Sequence, residues 1–162
     1  VTEGGAALQG WNQIGSVATL LAGFAGWTKD SKSLLERAAA WRSWSLYRLT
    51  GMRRFSDGRV ALLGDAAHPV LPYLAQGAAL ALEDALTLAE TIAAWPADPE
   101  RALRRYAELR RPRARGVQRL SRRFGRIYHF GGILRLARNL VLERRSGAAA
   151  LADLDWLYGT PR

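Results

Sequence analysis

The chain contains no cysteine, which excludes disulfides, thiolate metal sites and cysteine nucleophiles together. Histidine is nearly as scarce, with only His68 and His129, 61 residues apart, so no metal ligands are assigned. Long apolar runs are missing too. The longest, Val17 to Trp27 with Thr19 interrupting it, is far short of the ~20 residues that a membrane span requires. No charged-then-apolar leader opens the sequence, so the expectation is a cytoplasmic protein with no membrane partner. Lysine is confined to Lys29 and Lys32, leaving arginine to supply nearly all of the 24 basic residues. In an alanine-rich chain that bias reads partly as codon choice.

What is present suits a folded protein. A chain of 162 residues is one domain's worth, and at 49% hydrophobic and 23% charged it can bury a real core. Its charge is lopsided. Residues 1–98 carry 8 basic against 9 acidic side chains, whereas residues 99–162 carry 16 against 5. A basic half raises nucleic acid as a partner. Arg101, Arg105, Glu108, Arg111, Arg115, Arg119, Arg122 and Arg126 recur at helical spacing, and the usual meaning of such a stripe is a solvated face. No aromatics interleave with it, as a reader of single strands would want. The expectation is no nucleic acid.

Local signals divide the chain. Val1 to Gly15 reads as loop. Ser16 caps a short helix through Leu20, Leu21 and Phe24, and Asp30-Ser31 start another through Leu34, Leu35 and Ala38. Trp44 to Arg48 alternates as a half-buried strand does. After a turn at Ser56-Asp57-Gly58, the apolar run Val60 to Leu63 suits a strand buried on both faces. Gly77 to Ala94 reads as a helix stopped by Pro96. Asp98-Pro99-Glu100 then open a long amphipathic helix, with Leu103, Tyr106, Val117, Leu120, Phe124 and Ile127 on its apolar side and a bend at Pro112. A helix from Ile133 to Leu142 precedes a break at Gly147 to Ala150, and the tail Leu154 to Tyr158 can pack back onto the body.

The informative segment is Gly64 to Ala85, GDAAHPVLPYLAQGAALALEDA. It reads as a strand end, a carboxylate, a two-proline loop and a glycine opening a helix. Ligands bind beyond the carboxyl ends of strands in α/β sheets. Asp65 there is an acceptor suited to sugar or polyol hydroxyls. The helix start at Gly77 offers unpaired N–H groups and a positive dipole end. The competing interpretation, at even weight, is a plain strand–loop–helix connection in which Asp65 caps a turn.

This segment resembles the second flavin-binding motif of the FAD-dependent aromatic-ring monooxygenases, the salicylate hydroxylase-like group of class A flavoprotein hydroxylases related to 4-hydroxybenzoate hydroxylase. Gly64, Asp65, Ala66, Ala67, His68, Pro72, Gln76, Gly77, Glu83, Asp84 and Ala85 match its pattern. Ala75 replaces the first glycine of a G-Q-G-like element. The Trp11-Asn12 region, Arg110 to Arg113 and the Trp156 to Gly159 ending are also similar to that branch. The resemblance implies an α/β fold (α+β within this chain): the C-terminal part of a Rossmann-type FAD-binding fold, with part of a substrate-domain sheet and long C-terminal helices. It implies FAD as cofactor, NADH or NADPH as co-substrate with O2, and an aromatic, salicylate-like substrate. Gly64 and Asp65 would belong to the cofactor site, with Asp65 binding the ribityl hydroxyls, the backbone of Gly77, Ala78 and Ala79 would face the flavin N1–C2 edge, and Pro72 would shape the flavin–substrate interface. His68 is expected to be structural, and no catalytic residue is assigned.

Two departures stand out. Arg48-Leu49-Thr50-Gly51 replaces the Asp-Arg pair and prolines common before this motif. The dinucleotide fingerprint G-x-G-x-x-G occurs nowhere, so the expectation is the C-terminal part of an enzyme roughly twice as long, lacking its N-terminal FAD-binding half and inactive alone. The expected organisation is a partial substrate domain (1–55), the second FAD motif (56–98) and a helical segment (99–162). Homo-oligomerisation stays open. The alternatives are a non-catalytic helical interaction fragment and a basic nucleic-acid-binding module.

Overall fold

A computed structural model describes residues 12–46 and 54–159. The chain divides into two compact units, 1–47 and 48–162. Helices dominate, with two small antiparallel strand pairs, so the chain by itself is α+β.

In the first unit, β1 (Asn12–Ile14) pairs antiparallel with β2 (Arg42–Trp44). Between them lie α1 (Val17–Gly23), capped by the Ser16 hydroxyl, and α2 (Lys29–Glu36), capped by Thr28. Three expectations shift here. The opening loop contains a strand, because Asn12 to Ile14 find a partner 30 residues on. The second helix begins before Asp30, since Thr28 accepts from the Ser31 N–H, and it ends at Glu36, before Ala38. The strand expected at Trp44 to Arg48 ends at Trp44, is exposed rather than half-buried, and its last positions fall outside the described residues. The Arg48 to Gly51 segment lies outside them as well.

The second unit opens with a hairpin of β3 (Ser56–Asp57) and β4 (Val60–Ala61), turned at Gly58 with φ +53°. The strand expected to be buried on both faces is corrected. It is two residues long, and Val60 and Leu63 are 64% and 41% exposed, because among the described residues only β3 pairs with it. Next come a single 3₁₀ turn at Gly64–Ala66 and another at Pro72–Leu74. α3 (Gly77–Ala94) has the expected bounds and α4 (Pro99–Tyr128) the expected start, with Asp98 accepting from the Arg101 N–H and Pro99 in the first turn of α4. α4 runs through Pro112, whose exposed position lets the carbonyl freed four residues earlier meet solvent.

α5 (Gly132–Arg144) buries no residue but is tied to the end of α4 by Arg138 Nη1, which donates to the Ile127 carbonyl at 3.0 Å. The expected break at Gly147 to Ala150 is instead α6 (Gly147–Ala152), because the Ser146 hydroxyl accepts from the Ala149 N–H and starts a helix. α7 (Asp155–Tyr158) packs back as expected. Leu157 is buried with Leu74, Leu80 and Val117, and Tyr158 Oη donates to the Leu74 carbonyl at 3.1 Å. A second cluster joins Phe55, Ala67, Tyr106 and Ala114.

Backbone conformation explains two small residues. Gly64 has φ +57°, and Ala75 at φ +51° is the single non-glycine residue with positive φ among those described. The left-handed region costs an L residue roughly 1–2 kcal/mol, part of which glycine returns as chain entropy. Ala75→Gly should therefore stabilise the protein by about 0.5–1 kcal/mol, read as a higher urea midpoint. Gly64→Ala should lower that midpoint, since its new Cβ would also sit 3.4 Å from that of Ala81. An unchanged midpoint for Ala75→Gly would contradict the strain at this turn.

Candidate functional site

The 64–68 turn is held from beneath by α3 and α4. Asp84, on the second turn of α3 beyond its start, has no exposed surface. Its Oδ2 accepts from the Gly64 N–H at 2.9 Å and meets His68 Nε2 at 2.5 Å, while Oδ1 accepts from Arg110 Nε at 2.6 Å. Arg110 also donates from Nη2 to Glu83 Oε2 at 2.8 Å. Arg113 grips the same carboxylate in bidentate fashion, Nη2 to Oε1 at 2.9 Å and Nε to Oε2 at 3.1 Å. Its guanidinium continues to the carbonyls of Trp156 and Leu157 and lies over the Trp156 ring at 5.3 Å. One ionic network thus joins the turn, both long helices and the C-terminal helix.

Burial raises the Asp84 and Glu83 carboxyls, but the donors outweigh it. Hydrogen bonds from His68, Arg110 and the Gly64 N–H hold Asp84 below its ordinary 3.8. Arg113 and Arg110 hold Glu83 below its ordinary 4.5. Tyr106, whose hydroxyl donates to the Leu62 carbonyl at 2.9 Å, is pushed up to about 12 by burial and then by the Asp84 charge. His68 is buried, and its Nδ1 has no hydrogen-bond partner among the described residues. It is tied into the scaffold through Asp84, with its ring 5.6 Å from that of Phe55. Among the described residues no group of His, Asp and Glu could hold a metal ion.

Asp65 stands in contrast. It is exposed, and its carboxylate makes no hydrogen bond or ion pair among the described residues. It does not cap the turn, which is closed by the N–H groups of Ala67 and His68 on the Gly64 carbonyl at 3.0 and 2.9 Å. Asp65 Oδ1 lies 3.9 Å from where a side chain on Gly77 would begin. The first turn of α3, Gly77 to Ala79, has no side-chain cap. A free carboxylate and uncapped N–H groups therefore share one small surface. Pro72 is exposed at the start of the neighbouring 3₁₀ turn, whose Tyr73 ring packs on Gly125 so closely that a Cβ there would approach to 2.5 Å. Gly64, Asp65, Gly77, Ala78 and Ala79 are thus gathered, with Pro72 on the adjoining turn.

Arg110 and Arg113 carry no role in the sequence reading beyond the resemblance of the 110–113 segment, yet the sequence holds a signal for them. They occupy the register Leu103, Tyr106, Arg110, Arg113, Val117, Leu120, which is the buried face. A charge at a core position requires a buried partner.

The FAD binding domain family matches residues 28–121. The chain belongs to this family. Within it, the chain is 37% identical to a 3-hydroxybenzoate 6-hydroxylase of Klebsiella oxytoca, over 90% of its own length and 36% of the relative's. It is 42% identical to a 3-amino-4-hydroxybenzoate 2-monooxygenase of Streptomyces platensis, over 92% and 37%. It is 36% identical to the salicylate hydroxylase of Pseudomonas putida, over 91% and 34%. A solved salicylate hydroxylase substrate complex superposes with TM-score 0.78 at 30% identity, covering 98% of this chain and 38% of that one. The chain therefore spans a little over a third of these relatives, which are more than twice its length.

Removing one member of a buried ion network strands its partners and costs about 3–5 kcal/mol. Asp84→Ala should show that loss in urea unfolding, whereas Arg101→Ala on the exposed face should stay within about 0.5 kcal/mol. The pH dependence has a definite sign. Both carboxyls bind protons less readily folded than unfolded, so their stabilisation is present above the ordinary values of 4.5 and 3.8 and is lost as pH falls through the lower folded values. Stability should hold from neutral pH to about 5 and fall steeply below about 4, and Asp84→Ala should flatten that fall. An acid limb identical in wild type and mutant would contradict the assignment.

Proposed function

We propose that this chain is the C-terminal portion of an FAD-dependent monooxygenase that hydroxylates an aromatic acid, using NADH or NADPH and O2. One observation carries the reading. In a member of the FAD binding domain family, the Asp65 carboxylate is exposed and, among the described residues, unpaired beside the uncapped first turn of α3.

The residues fit the cofactor. Asp65, aimed by the left-handed Gly64, accepts hydroxyls of the ribityl chain, for which an acceptor-only carboxylate is suited. The N–H groups of Gly77, Ala78 and Ala79 face the polar edge of the flavin ring, where fixed dipoles favour negative charge without reorganisation. Pro72 borders the flavin and the aromatic substrate. The bound flavin supplies the redox chemistry, while the protein binds, orients and excludes water. In this reading residues 1–55 belong to the substrate domain, 56–98 form the FAD motif and 99–162 the helical segment. A longer chain supplies the dinucleotide fingerprint that these residues lack. The site is read as cytoplasmic, and among the described residues no helix is long and apolar enough to cross a membrane.

The 162-residue chain alone should hold little FAD, since Asp65 and one helix end reach only the ribityl and flavin parts. Stoichiometric flavin absorbance at about 450 nm in the purified chain would overturn that expectation. In the full-length protein, Asp65→Ala removes an acceptor worth about 1.5–3 kcal/mol. FAD affinity should fall roughly 10- to 150-fold with an unchanged apo melting temperature. Unchanged affinity would remove the site assignment.

The arginine face is read as a solvated surface. Arg104 pairs with Glu100, Arg105 with Glu108, and Arg101 stacks on Trp95 at 5.1 Å. Binding to random duplex DNA in ~150 mM salt should be weaker than micromolar. Micromolar binding with a log–log salt slope steeper than about −5 would favour the nucleic-acid reading.

A further inference from the structure

We infer that Asp84 is a positioning residue for the cofactor site, acting through Asp65. Its carboxylate holds both ends of the turn that presents Asp65. The Gly64 N–H enters at 2.9 Å and His68 Nε2 at 2.5 Å, both on Oδ2, with Asp65 between them in sequence. Arg110 fixes the other oxygen at 2.6 Å, so the carboxylate cannot rotate without breaking an ion pair. Gly64 adopts its φ of +57° without steric cost, and because a glycine backbone has the widest choice of conformations, the bond to Asp84 is what holds it in this one. Among the described residues Asp65 itself has no partner to orient it. Its aim toward Gly77 is therefore set by the backbone, and the backbone is set by Asp84.

Asp84 and the α3 N-terminus also belong to one helix. The group that orients the carboxylate and the N–H groups that complete the site are rigidly linked across two turns of α3. Asp84 has no exposed surface, so its influence passes through the turn.

The inference rests on Asp65 as the FAD acceptor, and the test separates the two. FAD affinity is measured by fluorescence titration of the full-length apoprotein as wild type, Asp65→Ala, Asp84→Asn and the double variant, each with an apo melting curve. If Asp84 acts through Asp65, Asp84→Asn should weaken FAD about ten-fold in wild type and less than about two-fold in Asp65→Ala, a coupling within the usual range for linked residues. A purely structural Asp84 would weaken both backgrounds equally, or neither, and either result would overturn the inference. An Asp65→Ala variant with wild-type affinity would overturn the reading of the site itself, a distinct outcome. Should Asp84→Asn fail to fold, His68→Leu removes the exit bond of the turn while keeping an apolar side chain against Phe55. The same cycle with it should show a smaller but still background-dependent loss, and an additive loss would again refute the inference.

Discussion

A carboxylate with no exposed surface and three donors within 2.9 Å constrains everything around it. Asp84 can be buried only while Gly64, His68 and Arg110 remain in place, since an ion left unpaired in the interior costs several kcal/mol. Each partner transmits the requirement outward. Gly64 fixes a left-handed turn, His68 stacks near Phe55 beneath the hairpin, and Arg110 locks the rotation of α4 against α3. Glu83 and Arg113 extend the same network to the backbone of α7.

The apolar clusters alone are modest for a 115-residue unit. Four buried residues form each, and many large apolar side chains of α5 remain exposed. Apolar contacts between α3 and α4 are non-directional and do not by themselves set one register. The ion network permits one. Bidentate contact of Arg113 with Glu83 and the single bond from Arg110 Nε to Asp84 demand a specific register between positions 83–84 and 110–113. Packing supplies most of the burial, and the charges select the arrangement.

Much of this was legible in the sequence where the signal is local. Asp98-Pro99 and Pro96 bracket α3 and α4 because capping and proline sterics act within a few residues. The gathering of Asp65 with Gly77 to Ala79 follows from one strand–loop–helix segment. The failures lie where a partner is remote or where a short element is ambiguous. β1 forms because of β2, 30 residues away, and the apolar run Val60 to Leu63 yields only two strand residues because a hydrophobic run does not by itself name its neighbours. Gly147 to Ala150 looked like a break on glycine content, yet Ser146 outweighs Gly147 as a helix signal. Arg110 and Arg113 lie off the arginine stripe, in register with Tyr106 and Val117, but which carboxylates they meet depends on α3, 26–30 residues earlier.

The Pro72–Ala75 turn shows how far the scaffold governs the site. Tyr73 reaches α4 only because Gly125 lacks a side chain, Leu74 enters the core, and its carbonyl accepts from Tyr158 of α7. Ser121 Oγ donates to the Leu71 carbonyl at 2.8 Å and Gln118 Nε2 to that of Pro69 at 3.2 Å. With so many anchors on α4 and α7, the loop tolerates an alanine at φ +51° where a freer loop would relax into an ordinary conformation. Such strain persists only where surrounding contacts over-determine the backbone. The loop that leads into the first turn of α3 is therefore placed by contacts on its inner side, which leaves Pro72 and the N–H groups of α3 on the outer side free to meet a ligand.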